Sequence, residues 1–376
     1  MTRGLFDGAE SPVTPVAILG GGLAGLNAAR ILHHAGIPFH LFEARDRLGG
    51  RILTLGETGQ PDHDGFDLGP SWFWPHMQPE LADLVAELGL QAVAQHSAGD
   101  MLFDRGPNDL PQRMRQAAAD QGSMRLVGGT DALVRALAKD LPAHCLWLNA
   151  EVTGLTLGPD AVLLTIARTG HPAEKFLARH VISTLPPRLM AQGVRLDPVP
   201  PAANLGHWRD TPTWMAPHAK FIAIYDSAFL RAAGLSGMAQ SRVGPLVEIH
   251  DATTDSGRAA LFGFVGLPPK MRATMPHDHL TRAAVAQLVH LFGLKAATPR
   301  ATFLKDWAVD RFTATAADNL APGHPDVWHA PWITGPWAER LTFAGSETSI
   351  TEPGYLAGAV EASCNAAQNW IRCNQR

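Results

Sequence analysis

Residues 16–51 read VAILGGGLAGLNAARILHHAGIPFHLFEARDRLGGR. An apolar run, Val16–Leu19, leads into Gly20-x-Gly22-x-x-Gly25. A helix-periodic segment follows as far as His34-Ala35 and stops at Gly36, and a second apolar run, 38–42, ends on Glu43. That order predicts strand, helix, strand. Gly20 permits the tight turn, Gly22 lets backbone approach a pyrophosphate, and Gly25 lets the helix pack close to the strand. The first helical turn, through Leu23 and Ala24, offers unpaired N–H groups and a positive dipole end to phosphate. Glu43 lies 18 residues past Gly25, where a carboxylate takes ribose hydroxyls and repels a 2′-phosphate. A dinucleotide binds here.

Outward from this unit, 376 residues suit two domains better than one. With 46% hydrophobic and 18% charged residues, the chain can bury a substantial core. A net charge of −4 gives no global field for nucleic acid. No stretch approaches the ~18 apolar residues of a membrane span. The first fifteen residues lack the apolar centre of a signal peptide and read as a loose leader. Three cysteines, Cys145, Cys364 and Cys373, form no CxxC and predict neither a disulfide framework nor a metal site. The expected location is cytoplasmic.

Along the chain, 79–89 has helical spacing with a glycine stop, and another helix starts after Gly128-Gly129-Thr130. Residues 103–124 read as polar and irregular. From Cys145 to Thr184 the period is strand-like, and Pro186-Pro187 closes that section. Short strands at 220–225, 246–250 and 261–265 precede a helix around 279–292. Residues 303–307 begin the return, 341–345 read as a strand ending in glycine, and a last helix begins near Gly354. The expected fold is α/β, in an α+β two-domain arrangement. A Rossmann-like cofactor domain is built from both chain ends (13–75, 125–190 and 335–376). A mixed-sheet substrate domain is inserted (76–124 and 191–334).

Directly after Glu43 come Ala44-Arg45-Asp46-Arg47-Leu48-Gly49-Gly50-Arg51. A NAD enzyme has no obvious need for this second glycine pair. A longer cofactor folded over its own pyrophosphate does: Arg45 reaches the adenosine side, Gly50 lets backbone pass close, and Arg51 neutralises phosphate.

At this point the chain resembles the flavin-dependent amine oxidases of the monoamine oxidase and polyamine oxidase type. The opening GGGLAGLNAAR…LFEARDRLGGR is similar to their FAD fingerprint. Asp67-Leu68-Gly69-Pro70-Ser71-Trp72 resembles a second flavin-contacting segment, and Arg125-Leu126-Val127-Gly128-Gly129 the lead into a shared helix. Glu151-Val152 resembles the strand whose valine backbone holds the adenine, and 180–187 the strand and turn at the domain crossover. Phe343-Ala344-Gly345-Ser346-Glu347-Thr348 followed by Gly354-Tyr355-Leu356-Ala357-Gly358-Ala359-Val360-Glu361-Ala362 is similar to the carboxy-terminal flavin motif.

The resemblance implies an FAD-dependent oxidoreductase acting on CH–NH groups. It takes hydride from the carbon next to an amine nitrogen, gives an imine and passes electrons to oxygen as hydrogen peroxide. A helix starting near Gly354 would aim its positive end at the reduced flavin, and Glu347 would accept from a ribityl hydroxyl or orient the loop. Some relatives attach flavin to a cysteine at a position matched here by Ala316, so FAD is expected to be non-covalent. Tyr355 matches one wall of an aromatic pair that receives the amine. The other wall falls near Ala317, counted from the family-like Trp307, leaving Phe312, Trp332 or Trp72 to fill it. Lys270, in Gly263–Lys270, stands one residue late for the family's lysine near flavin N5. Glu352 is a candidate carboxylate for a cationic substrate, and His250-Asp251 a candidate proton acceptor.

Many relatives carry a long helical insertion where this chain has only residues 101–125. A smaller lid follows, with a partner subunit as one candidate to complete it, so a homo-oligomer stays open. Partners are therefore a small-molecule amine and oxygen, without nucleic acid or membrane. Other readings are a desaturase, an amine dehydrogenase with another acceptor, and a non-catalytic flavin scaffold.

Overall fold

The structure is a computed structural model describing residues 13–115, 122–320 and 323–374. The expected leader lies outside them as far as residue 12. Contacts divide the chain into two units: Met1–Arg51 with Leu133–Met215 and Phe312–Arg376, and Ile52–Ala132 with Ala216–Arg311.

In the first unit, strand Thr14–Leu19 runs parallel to Phe39–Phe42 and to Glu174–Ser183. Helix Leu23–His34 connects the first pair. The right-handed crossover expected of such a unit needs that helix to lie on the sheet. Leu26, Ala28, Ala29 and Leu32 accordingly face the core with none of their surface exposed. The full sheet has eight strands. Its order is 195–197, 151–157, 162–167, 174–183, 14–19, 39–42 and 146–147, and Leu341–Phe343 pairs with the end of 174–183. The last helix, Leu356–Asn374, packs against Leu23–His34, and Asn27 donates to Ser363 Oγ at 2.9 Å. Both ends of the chain thus build one sheet and one helix pair.

The second unit is a seven-stranded mixed sheet ordered 301–306, 219–225, 259–265, 246–251, 235–241, 100–104 and 112–115. Helix His277–Phe292 covers one face with Leu280, Ala284, Leu288 and Leu291, packed among Phe221, Ala223, Ile249 and Leu261. The other face carries Ile222, Ile224 and Phe262 under Phe66 and Leu68.

Two expectations differ from what is found. Residues 103–124 are not uniformly irregular: Asp100–Asp104, Gln112–Arg115 and Met124–Leu126 are strands, while 116–121 lie outside the described residues. Gln112–Arg115 is a fully exposed edge strand, and its arginines hide the apolar alternation that announces a strand while blunting the edge. The expected domain bounds also differ from the contact grouping. Residues 52–75 and 125–132 group with the second unit, and 191–215 and 312–334 with the first. Strand 195–197, paired with 151–157, carries 191–215 with the first sheet.

Candidate active site

In the first unit, Gly20 and Gly25 are pressed together. A Cβ on Gly25 would stand 1.9 Å from the Gly20 carbonyl oxygen, so only glycine lets the helix begin there. The helix N-terminus at Gly22 carries no side-chain cap and no acidic residue in its first turn, which suits an anion. Gly22 bridges in parallel to Gly49, and Gly50 stands against it, so the second glycine element closes over the first. Glu43 is 3% exposed; Oε2 accepts from Gly21 N at 2.7 Å and Oε1 from Arg45 N at 2.8 Å. The carboxylate that sequence assigns to ribose thus also ties the glycine loop to the end of the second strand, with lone pairs left for hydroxyls. Arg45 donates to Thr313 Oγ1 at 2.9 Å and lies over the Phe312 ring. Val152 sits where the ladder between 151–157 and 162–167 slips register. Such a bulge leaves backbone groups unpaired in the ladder, as reading an adenine edge requires.

Arg51 and Glu347 pair with each other, the loop-orienting alternative for Glu347. Arg51 Nη1 and Nη2 meet Glu347 Oε1 and Oε2 at 2.6 and 3.1 Å, and Nη2 also donates to Ser346 Oγ at 3.0 Å. Glu347 is fully buried, and a buried carboxylate needs this countercharge. The pair therefore clamps the amino-terminal glycine segment to the Gly345–Ser346 turn; Arg51 is not spent on phosphate alone, nor Glu347 on a hydroxyl. Gly354 N donates to Ser346 O at 2.9 Å, which carries the clamp on to Tyr355 and the helix beginning at Leu356.

Around Tyr355 the rings are Trp214, at 6.2 Å between centroids, and His324, at 5.3 Å. Gly354 has φ +84, and a Cβ there would fall 2.6 Å from Trp214 Cβ, so glycine admits the indole. Of the rings expected to stand beside Tyr355, Phe312 lies under Arg45, and Trp332 packs on His207 and Phe343. Sequence reasoning missed Trp214 because it comes from a loop far from both flavin motifs. Ala316 and Ala317 open a short helix whose Asp318 is buried against Arg188. Glu352 is half-buried in the loop before Tyr355, its backbone N donating to Ser349 Oγ at 2.9 Å.

In the second unit, the segment after strand 66–67 is fastened by three side chains. Trp307 Nε1 donates to Leu68 O at 3.0 Å. Lys220 Nζ donates to Gly69 O at 3.0 Å and to Ser71 Oγ at 2.6 Å. Trp72 Nε1 donates to Gln95 Oε1 at 2.7 Å. Lys220 is 3% exposed, and its ammonium lies 4.1 Å from the Phe262 ring centre. Burial pushes its pKa down to about 7, opposed by Asp67 and reinforced by Arg125. Lys270, by contrast, is exposed on the turn Pro269–Arg272. That turn faces inward through Arg272, which pairs with Asp306 at 2.7 Å. The missed signal is a lone charge inside an otherwise apolar run, AKFIAIY, every residue of which is buried. His250 and Asp251 do not form a pair. Successive strand residues point to opposite faces, so His250 Nε2 meets Glu248 Oε1 at 2.6 Å while Asp251 pairs with Arg231.

In the first unit a glycine loop closed by a second glycine pair, ahead of an uncapped helix, suits a dinucleotide. The family described as flavin containing amine oxidoreductase matches residues 23–121 and 108–371, and the chain belongs to it. It is 23% identical to the flavin-containing amine oxidase B of Homo sapiens over 94% of this chain and 85% of that protein. It is 24% identical to the putrescine oxidase of Kocuria rosea over 80% and 83%. Among solved structures, the cyclohexylamine oxidase of Brevibacterium oxydans superposes with TM-score 0.78 at 20% identity, covering 97% of this chain and all of that one. A putrescine oxidase bound to putrescine gives TM-score 0.78 at 19% identity, covering 96% and 99%. These two likenesses establish the fold. The protein is a flavin-dependent amine oxidase, an oxidoreductase acting on CH–NH groups. No helix among the described residues is long and apolar enough to cross a membrane.

Proposed function

We propose that the cofactor is non-covalent FAD, that Lys220 is the lysine beside its reacting edge, and that Tyr355 with Trp214 and His324 receives the amine. When bound, the flavin supplies a two-electron acceptor: the C–H bond next to the amine nitrogen breaks with its pair, the nitrogen loses a proton, water hydrolyses the imine, and oxygen leaves as hydrogen peroxide. The rest is done by side chains. Glu43 and the uncapped helix at Gly22 orient the adenosine and pyrophosphate end. The Arg51–Glu347 clamp sets the loop that delivers Tyr355.

Lys220 is the observation that carries the proposal. A buried ammonium that donates to a carbonyl and a hydroxyl, with its pKa at about 7, can hold or release a proton at working pH. Ala316 at the attachment position, with Cys145 buried and Cys364 and Cys373 on the last helix, supports a non-covalent flavin.

The test is an absorbance spectrum followed by anaerobic addition of amines. The expected result is a yellow protein whose flavin bleaches with an amine, is reoxidised by oxygen with peroxide release, and enters the supernatant after acid precipitation. A colourless protein, or flavin that no amine bleaches, overturns the reading. Flavin that stays with the pellet overturns the non-covalent part alone.

A further inference from the structure

In the first unit, one buried ion pair gathers three segments of chain. Arg188, on helix Pro187–Gly193, meets Asp318, on helix Ala316–Leu320, and the two side chains are 9% and 1% exposed. Four donors converge on the carboxylate. Oδ1 accepts from Arg188 Nη1 and from Thr213 N at 2.9 Å, and Oδ2 from Thr315 N and Thr315 Oγ1, each at 2.8 Å. A carboxylate offers about four acceptor positions, so none is left for a substrate. Asp318 is built to hold the chain.

Local sequence explains half of this arrangement. Thr315-Ala316-Ala317-Asp318 is a capping box: Asp318 N donates back to Thr315 Oγ1 at 3.3 Å while the carboxylate accepts from Thr315 N. One carboxylate oxygen completes such a box. The other reaches Thr213, 105 residues earlier. Arg188 joins it there, and its guanidinium also donates through Nε to Arg209 O at 2.7 Å and through Nη2 to Asp210 O at 3.1 Å. Those carbonyls end helix Ala202–Asp210, so the chain leaving that helix reaches Thr213 on a path set by both members of the pair. Trp214 is next. Its carbonyl accepts from Arg51 Nη1 at 3.3 Å, and its ring stands 6.2 Å from Tyr355 and 4.5 Å from His324. Its backbone is held on one side through Asp318 and on the other through the Arg51–Glu347 clamp. Apolar side chains of like volume often serve stability as well as a buried ion pair does. They cannot accept the Thr213 N–H.

We propose that Asp318, braced by Arg188, is a positioning residue that holds Trp214 against Tyr355 and so sets how tightly the amine is received. The inference rests on the assignment of Tyr355 and Trp214 to the amine. A ring displaced by about 1 Å loses its fit to the bound molecule. An ion pair with no acceptor to spare thus controls amine affinity at one remove, through the indole that follows Thr213.

The experiment uses the holoenzyme and whichever of benzylamine, n-butylamine and cyclohexylamine bleaches its flavin fastest. Stopped-flow absorbance gives the amine Kd and, separately, the rate of reoxidation by oxygen. Asp318→Asn should raise Kd about 10-fold, the upper range of an aromatic contact, with the flavin spectrum and the reoxidation rate unchanged. In a Trp214→Leu background, where Kd is already raised, the same substitution should add less than about 2-fold, because its effect runs through that ring. Arg188→Met combined with Asp318→Asn strands no charge and carries the same test if the single variant folds poorly. An unchanged Kd in Asp318→Asn, or the same factor with and without Trp214, overturns the inference and leaves the amine reading standing. If Trp214→Leu alone leaves Kd unchanged, or if no amine bleaches the flavin, the amine reading itself fails and the inference falls with it.

Discussion

Two cations divide this molecule's labour. Arg51, in the first unit, meets a fully buried carboxylate through both guanidinium nitrogens. Lys220, in the second, meets a carbonyl oxygen and a hydroxyl. The paired arginine serves architecture, joining the Arg45–Arg51 stretch to the turn at Ser346. The lysine lacks an equivalent salt bridge, so desolvation carries its pKa down to about 7. A half-buried cation that meets a buried carboxylate makes a brace, and a buried one that meets only neutral oxygens makes a titrating group. Substitutions should therefore cost the first unit its stability and cofactor, and the second unit its chemistry.

The largest effect belongs to Gly25→Ala. The new Cβ would sit 1.9 Å from the Gly20 carbonyl oxygen, which is backbone and cannot swing away. Either the helix or the glycine turn must shift, at a cost of more than about 4 kcal/mol. Thermal unfolding and the flavin-to-protein absorbance ratio check it; a protein that keeps wild-type melting and flavin content refutes the close approach.

Arg51→Ala comes next. It leaves the Glu347 carboxylate buried without its partner, a loss of up to about 3–5 kcal/mol, reduced because the arginine side chain is itself 28% exposed. The double variant Arg51→Ala with Glu347→Ala should recover part of that stability, since no charge is then stranded. Denaturant unfolding of Arg51→Ala, Glu347→Ala and the double variant reads the coupling directly. Strictly additive losses would show that the two side chains are not a clamp.

Much of the first unit was legible in sequence because its constraints are local. A glycine that must approach a carbonyl, a helix that must start without a cap, and an acid at the end of the next strand all fall within 16–51. The carboxy-terminal motif was legible too, as a pattern; that Glu347 would turn to Arg51 was not, because nothing in either segment names the other. The second unit was harder. Its lysine sits in a strand whose composition reads as core, and only the sheet register brings Lys220 and Phe264 together. Counting along the chain pointed to Lys270, which matched by segment and missed by burial.

Lys220→Met tests the other half of the comparison through pH. The folded pKa, about 7, is below the ordinary 10.5, so between those values the unfolded chain binds more protons than the folded one. Stability therefore rises with pH across that window, with a slope approaching about 1.4 kcal/mol per pH unit from this residue. Below pH 7 the penalty of burying the charge is fully present. The methionine variant should lose that part of the slope and be at least as stable as the wild type near pH 7, while flavin reduction by amine or its reoxidation slows about 100-fold. Chemical denaturation between pH 7 and 10 and stopped-flow flavin absorbance measure the two effects. An unchanged slope would place the charge in contact with water.

The smallest effect distinguishes burial from sequence position. Lys270 lies on the exposed turn Pro269–Arg272, whose inward contacts are made by Arg272 through Asp306, Leu267 O and Pro217 O. Lys270→Ala trims an exposed side chain and should change stability by less than about 0.5 kcal/mol, with flavin reduction and reoxidation rates as in the wild type. Arg272→Ala, two residues on, strands the Asp306 carboxylate and the two carbonyls and should cost markedly more in the same unfolding assay. If Lys270→Ala slowed flavin reoxidation as Lys220→Met does, two lysines would share the reacting edge, and the contrast between a braced and a titrating cation would no longer map onto one residue in each unit.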